Sequence, residues 1–537
     1  MPRASWWVPP SPADGTRRWK GPGPTFGPVV LFTAAMNLTF GLSTSMEVFA
    51  SVVNVRAVAG LGVVNVAKLG QDFAGPALHF RWSPSSRLLL VADAERVRIV
   101  SALDDSFSAT VRNHAVAGTK TAYVGFGASD SEVVVISALG LRFSVFDLSS
   151  SRGTEIANPK VFSSSSAMNC FSFRPETHHM ALLTRSAGKD MVSIHSYPSR
   201  ELQRSWFPDT VDAQGLAWSP DGRWLVIWDS SAHGHRVLFY TSDGHLFKAW
   251  TGPASPSPED KDYALGTGVK AVHFSPNSQH LAIGDSSRSV SLLNMASVTE
   301  TLRLRHPKTI VPRETLQEQI AVSHAGPVIH TFLRSTQMIS PAPAPRDGSE
   351  AISGCASISF DPSSTLVATR QLDSPGTVWI WDVQVAELRA VLLFHGSVAN
   401  LSWHSSIPET LLITCEGEQY TGIVFVWDPL SEGPRVVDFS SHRPNKKGGR
   451  QRALWLQNGT SIAPTVFFSD SHNYLLAYLG DADQGPAPWS LGSPRPAALA
   501  PDAFGDCEES PLELVPAPDV QDDDDDSELE DTFVYKR

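Results

Sequence analysis

The side chains best suited to chemistry in this 537-residue chain do not fall at spacings that perform it. Histidines pair at His178-His179 and again at His233 and His235, both in stretches that read as turns. A metal ion needs several ligands converging from different elements, and nothing else clusters with either pair, so they are read as surface histidines. The cysteines Cys170, Cys355, Cys415 and Cys507 lie far apart, with neither metal-ligand nor redox spacing. Buried free thiols in a reducing, intracellular compartment are expected. Gly60-x-Gly62 is too short for a dinucleotide fingerprint and reads as a strand-turn element. There is no nucleophile elbow, phosphate-cradling loop or zincin helix. The sequence therefore predicts no catalytic residue, no metal and no cofactor.

The elements that would position any such residues are short strands. Residues 215–244, GLAWSPDGRWLVIWDSSAHGHRVLFYTSDG, hold three apolar runs separated by turns. Ser219-Pro220-Asp221-Gly222 closes the first run, because proline cannot continue a paired strand and Asp-Gly suits a tight turn. Three or four such strands form one small antiparallel sheet, which cannot bury both of its faces alone. It needs stacked copies of itself, and the sequence contains them. An aromatic residue, a turn and an apolar strand recur at Trp82, Phe126, Phe173, Trp218, Phe274, Phe360, Trp403 and Trp455. Successive anchors are 43 to 56 residues apart, except for one step of 86. A period in the forties is that of a WD-repeat propeller blade, and the long step holds either a hidden blade or an insertion. The expected fold is all-β: a WD-repeat β-propeller of seven or eight, at most nine, four-stranded blades with disordered termini. Blade loops can assemble a catalytic site from distant positions, which keeps an enzyme as the remote alternative.

Aromatic-Asp at the close of a strand adds to this reading. Trp381-Asp382 and Trp427-Asp428 carry the WD signature, and Phe146-Asp147 a variant of it. The tryptophan is expected to pack between sheets and the aspartate to bond nearby backbone, so both are structural. The 15 tryptophans of the chain suit plugs between blades.

The domains follow. Residues 1–45 form a Pro-, Gly- and Trp-rich extension, read as disordered, and a poor match to a signal peptide. Residues 46–480 form the propeller, with a long insertion at 305–350 that either supplies outer strands or projects as a lobe. Residues 443–452, RPNKKGGRQR, are half basic and read as a solvated loop, with an acidic surface or a nuclear address as alternatives. Residues 481–537 form a tail read as disordered, with an unbroken acidic run at 522–526. From Asp502 onward there are 14 acidic and two basic residues, so the whole net charge of −12 resides there. The body is neutral and offers no field to attract nucleic acid. No run of about 20 apolar residues predicts a membrane span. The tail closes with EDTFVYKR, in which Phe533 and Tyr535 suggest a short docking peptide, with random composition as the alternative. Ser527, three residues before Glu530, has the pattern of an acidic-directed kinase site.

Several of these stretches resemble one family, the divergent WD-repeat family of centrosomes and spindle pole bodies, known as the WD-repeat-containing protein eight family. The similarity lies in LAWSPDGRWLVIWD at 216–229, GVKAVHFSPNSQHLAIGDSSRSVSLLN at 268–294, Arg305-His306-Pro307, and ATRQLDSPGTVWIWDV at 368–383. The chain departs from the family at its first blade, where Glu47-Val48-Phe49 lacks a following Ser-Pro-Asp-Gly turn. The resemblance implies a non-catalytic scaffold that anchors microtubule minus ends and supports spindle assembly. It implies a place in the cytoplasm and cytoskeleton, at the spindle pole body or centrosome. The partners it implies are a coiled-coil anchoring protein, a minus-end-directed kinesin and the gamma-tubulin complex. Candidate contact residues are then Trp228, Asp229, Arg305, His306, Pro307, Phe533 and Tyr535. The alternative is an adaptor in another assembly, as a ubiquitin ligase substrate receptor, an RNA-processing platform or a phosphoinositide-binding propeller. The last would want Phe-Arg-Arg-Gly, which is absent.

Overall fold

The computed structural model describes residues 52–57, 63–69, 77–112, 122–137, 140–161, 169–253, 268–312, 314–322, 328–343, 354–442, 451–456, 464–470 and 474–480. It also describes the strands Ser5–Trp7, Val29–Thr33 and Phe533–Lys536. Gly60, Gly62, Cys507, the acidic run and Ser527 lie outside the described residues, as do 443–450 of the basic stretch.

The recurring turn explains the recurring sheet. Ser83, Ser219, Ser275 and Asp361 each open such a turn, and each is fully buried. Their side-chain oxygens accept the amide that starts the next strand: Leu88 at 3.1 Å, Trp224 at 3.0 Å, His280 at 2.9 Å and Leu366 at 2.8 Å. A short polar side chain can do this from inside the turn, so the strands enter in one fixed register. The fourth turn residue sits at positive φ in all four: Ser86 at 61°, Gly222 at 67°, Ser278 at 60° and Ser364 at 64°.

Among the described residues, seven sheets carry the four-stranded antiparallel meander or its extension, an eighth completes three consecutive strands with Ser5–Trp7, and a ninth is built on Val29–Thr33, Val52–Ala57 and Val63–Lys68. The clusters of buried side chains join them in sequence order. Leu90 and Val97 of the 79–112 sheet pack with Val124 and Val133 of the next. The same arrangement continues sheet by sheet to Val424 and Val466 in the last two. The ring closes where Leu456, Phe467 and Leu476 meet Val53, Val55 and Ala67, which also contact Leu89 and Val91. The first-blade region that lacks the turn signature therefore forms the closing wedge. Backbone and indole groups tie neighbouring first strands: Trp403 Nε1 donates to the Ser359 carbonyl at 2.9 Å, and Trp455 Nε1 to that of Ser402 at 2.8 Å. Gly215 fits a separate close approach within and beside its own blade, since an added Cβ would lie 2.3 Å from the ring of its cross-strand partner Trp228 and 2.6 Å from the Asn169 Cβ.

Three blades gain strands on their outer side. The insertion does not hide a blade. Its strands Thr315–Val322 and Val328–Arg334 form a hairpin laid parallel along Glu387–Leu393, giving a six-stranded sheet. The terminal segments, expected to lie outside the propeller, also supply strands. Ser5–Trp7 pairs with Tyr474–Tyr478, and Phe533–Lys536 pairs with Ser108–Arg112. The physical reason is common to all three, because an outermost strand leaves a row of unsatisfied backbone groups that any β-prone segment can pair with.

Candidate interaction surfaces

The WD positions form a bonded interior. His306 is fully buried and its Nδ1 lies 3.0 Å from the Arg288 carbonyl, which can only accept. Nδ1 therefore carries the proton, and bare Nε2 accepts from the Thr369 hydroxyl at 2.7 Å. The Thr369 oxygen in turn accepts Trp381 Nε1–H at 3.1 Å. Burial pushes the His306 pKa down to about 3, in keeping with a neutral ring held edge-on to Trp379 and Trp381. Asp382 and Asp428 cap the turns that follow them: Gln384 N and Val385 N donate to the first at 2.9 Å, and Leu430 N to the second at 2.9 Å. Trp427 is buried.

The same geometry corrects three of the expected contact residues. Trp228 is buried, and Asp229 is fully buried and accepts Val211 N at 2.9 Å and Asp212 N at 2.7 Å. Together with His306, these side chains hold blades and offer nothing to a partner. Their place near turns in the sequence carried no information about burial. Arg305 is half-buried and Pro307 exposed. Phe533 and Tyr535 lie opposite Val111 and Ala109 in backbone register.

Buried charges at the seams escaped the sequence reading. Arg200 pairs with Glu132 of the preceding blade through Nε and, at 2.6 Å, through Nη2, with both side chains almost wholly buried. Its Nη1 donates to the His178 carbonyl at 2.7 Å. Lys160 bridges Asp190 at 2.6 Å and Asp212 at 2.8 Å. Glu318 of the inserted hairpin is the most connected. His330 Nδ1 lies 2.7 Å from its Oε1, while Tyr420 Oη donates to Oε2 at 2.6 Å and His395 N at 2.8 Å. An isolated charge within an apolar strand, as in EVVVI at Glu132–Ile136, was the available signal.

Among the described residues no group of three or more His, Cys, Asp or Glu could hold a metal. His235 Nε2 instead contacts Asp285 at 3.2 Å across a blade seam. The thiols of Cys170 and Cys355 are free, and burial pushes each up to about 12, too high to supply a thiolate nucleophile. No described helix is long and apolar enough to cross a membrane.

Apolar side chains are exposed in several connecting loops, Leu430 among them, and on the outer rim. Ile329 and Leu333 stand exposed on one face of the inserted hairpin, at 52% and 60%. Val311 and Met338, on the segments flanking it, are exposed at 66% and 71%. The other face is packed, with Phe332 edge-on to Phe394 and Phe425.

No protein-family model matches the chain. Over 313 residues it is 28% identical to the WD repeat-containing protein WRAP73 of Mus musculus, covering 54% of this chain and 63% of that protein, so less than two thirds of the relative is spanned. Over 451 residues it is 20% identical to an uncharacterised WD repeat-containing protein of Schizosaccharomyces pombe, C32H8.09, covering 79% and 86%.

Proposed function

We propose that this chain, a divergent WD-repeat β-propeller, is a scaffold of the spindle pole body or centrosome that helps anchor microtubule minus ends. The observation that carries the non-catalytic part is the state of its polar interior. His306, Asp229, Glu132 and Glu318 are all engaged in structural bonds at the seams. A group committed in this way is not poised for proton transfer to a substrate.

The polar location is supported by the family-like stretches at 216–229 and 268–294 and by the position of the insertion between Phe274 and Phe360. The insertion is also the best-equipped contact surface. An amphipathic helix from a coiled-coil anchoring protein would lay its apolar face on Ile329 and Leu333, a recognition mode that needs apolar anchors on a rigid support. A minus-end-directed kinesin and the gamma-tubulin complex complete the proposed assembly.

The test is a fluorescent tag on the full chain in dividing cells, combined with proximity labelling. Accumulation at spindle poles, with pole proteins as the dominant neighbours, supports the reading. A diffuse signal with ubiquitin-ligase or RNA-processing neighbours overturns it.

A further inference from the structure

At the edge of the 79–112 blade the chain pairs with itself over a long sequence distance. Ser108–Arg112 is the fourth strand of that blade. In the blades ending at Arg152–Ala157, Leu202–Trp206, Leu246–Trp250 and Thr299–Arg305, the fourth strand pairs on one side only among the described residues. Here the outer side is taken by Phe533–Lys536, antiparallel, with Phe533 opposite Val111 and Lys536 opposite Ser108.

Register and charge agree on the direction of approach. The antiparallel strand begins with Phe533 opposite Val111, next to Arg112, which is exposed and itself stands opposite Arg96. The chain before Thr532 reads Ser527-Glu528-Leu529-Glu530-Asp531, led by five consecutive aspartates at 522–526. The described strand Phe533–Lys536 thus starts at the arginine-bearing end of the edge, and the residues that precede it in sequence are the most acidic of the chain.

Energetically the closure is weak. The net gain from a backbone hydrogen bond in water is about the size of the entropy lost in ordering a tail residue. A four-residue strand at an open edge is therefore poised near balance and can exchange.

We propose that the outer edge of Ser108–Arg112 is a strand-acceptor site for an extended segment of alternating aromatic and aliphatic residues preceded by acidic ones, and that Phe533–Lys536 keeps it closed in cis. A partner strand of that chemistry gains the edge only by displacing the tail. The inference does not depend on the spindle-pole reading.

The experiment compares the intact full chain with full-length Val534→Pro, which removes a strand amide from the tail without touching the propeller core. A fluorescent peptide of residues 527–537 is the probe. The expected result is saturable 1:1 binding to Val534→Pro at least tenfold tighter than to the intact chain, weakening as salt rises. Arg112→Glu added to Val534→Pro should lower that affinity again. Equal binding to the intact and Val534→Pro chains, or binding to neither, overturns the proposal. So does a concentration-dependent dimer of the intact chain that Val534→Pro abolishes, because the tail would then act in trans.

Discussion

Tyr420 donates its hydroxyl proton to Glu318 at 2.6 Å across 102 positions of sequence. The same hydroxyl oxygen accepts the Gly396 amide at 2.9 Å. One carboxylate on an inserted hairpin thus organises two neighbouring blades and the hairpin itself. Glu318→Ala would strand His330, Tyr420 and the His395 amide in a buried setting. Breaking a buried charged cluster from one side costs about 3–5 kcal/mol, and the expected outcome is destabilisation of that size in chemical unfolding. Tyr420→Phe removes one donor and one acceptor and should cost about 1–3 kcal/mol. Because the two share a bond, the double variant should fall well short of the sum.

Arg200 and Glu132 make the parallel case at an earlier seam. Arg200→Ala leaves the Glu132 carboxylate buried with, among the described residues, the Ala128 amide at 2.9 Å as its remaining donor. The expected loss is again about 3–5 kcal/mol. Replacing both, as Arg200→Met with Glu132→Leu, should recover most of it, since no uncompensated charge remains. A double variant no more stable than Arg200→Ala would show that the pair does more than neutralise itself.

Acid sensitivity follows from buried neutral histidines. Burial lowers His306 to about 3 and His404 to about 4. His404 Nδ1 accepts the Ser406 and Ile407 amides, so protonation would break both contacts. In the unfolded chain each titrates near 6.5. Above that value both states are neutral and these residues add no pH dependence. Below it the unfolded chain takes up protons that the folded chain refuses. Stability is therefore lost as pH falls from about 6.5 toward 4, by up to about 1.4 kcal/mol per pH unit for each such histidine. His306→Gln should be less stable at pH 8 yet show a shallower decline between pH 6 and pH 4.5. An unchanged slope in urea titrations would place the proton uptake elsewhere.

The blades were legible in the sequence because an aromatic, a buried turn-opening oxygen and a left-handed turn residue act within a few positions of one another. Trp82, Phe126, Phe173, Trp218, Phe274, Phe360 and Trp403 each end the first strand of a blade. The wedge at 52–68 reads as β-prone in the sequence without that turn, but its closing role was not legible, since it lies in packing against Phe467 and Leu476 from the far end of the chain. Nor was the course of the insertion. Its parallel pairing of Leu316 with Leu392 leaves no local pattern. Burial misled as well: Trp228, Asp229 and His306 sit beside turns in sequence, yet in three dimensions they are buried. Contact residues are thus better sought where an added strand exposes apolar side chains than at the repeat signatures.

That reasoning singles out Ile329 and Leu333. Both lie on the solvent face of Val328–Arg334, where Leu333 stands opposite Gln317 and Ile329 opposite Ala321. The structural work of the hairpin is done on its other face by Glu318, His330 and Phe332. Ile329→Lys with Leu333→Lys should therefore leave stability within about 0.5 kcal/mol, as surface substitutions do. If the hairpin receives a coiled-coil partner, the same pair should abolish co-purification of that partner and release the tagged chain from spindle poles. Thr331→Lys, between them on the same face, should act in the same direction but more weakly, since it adds charge without removing an apolar anchor. Glu318→Gln supplies the complementary control, because it loosens the hairpin while leaving its outer residues in place. Retained pole localisation in the Ile329 and Leu333 variant, with its stability intact, would remove the hairpin from the contact surface.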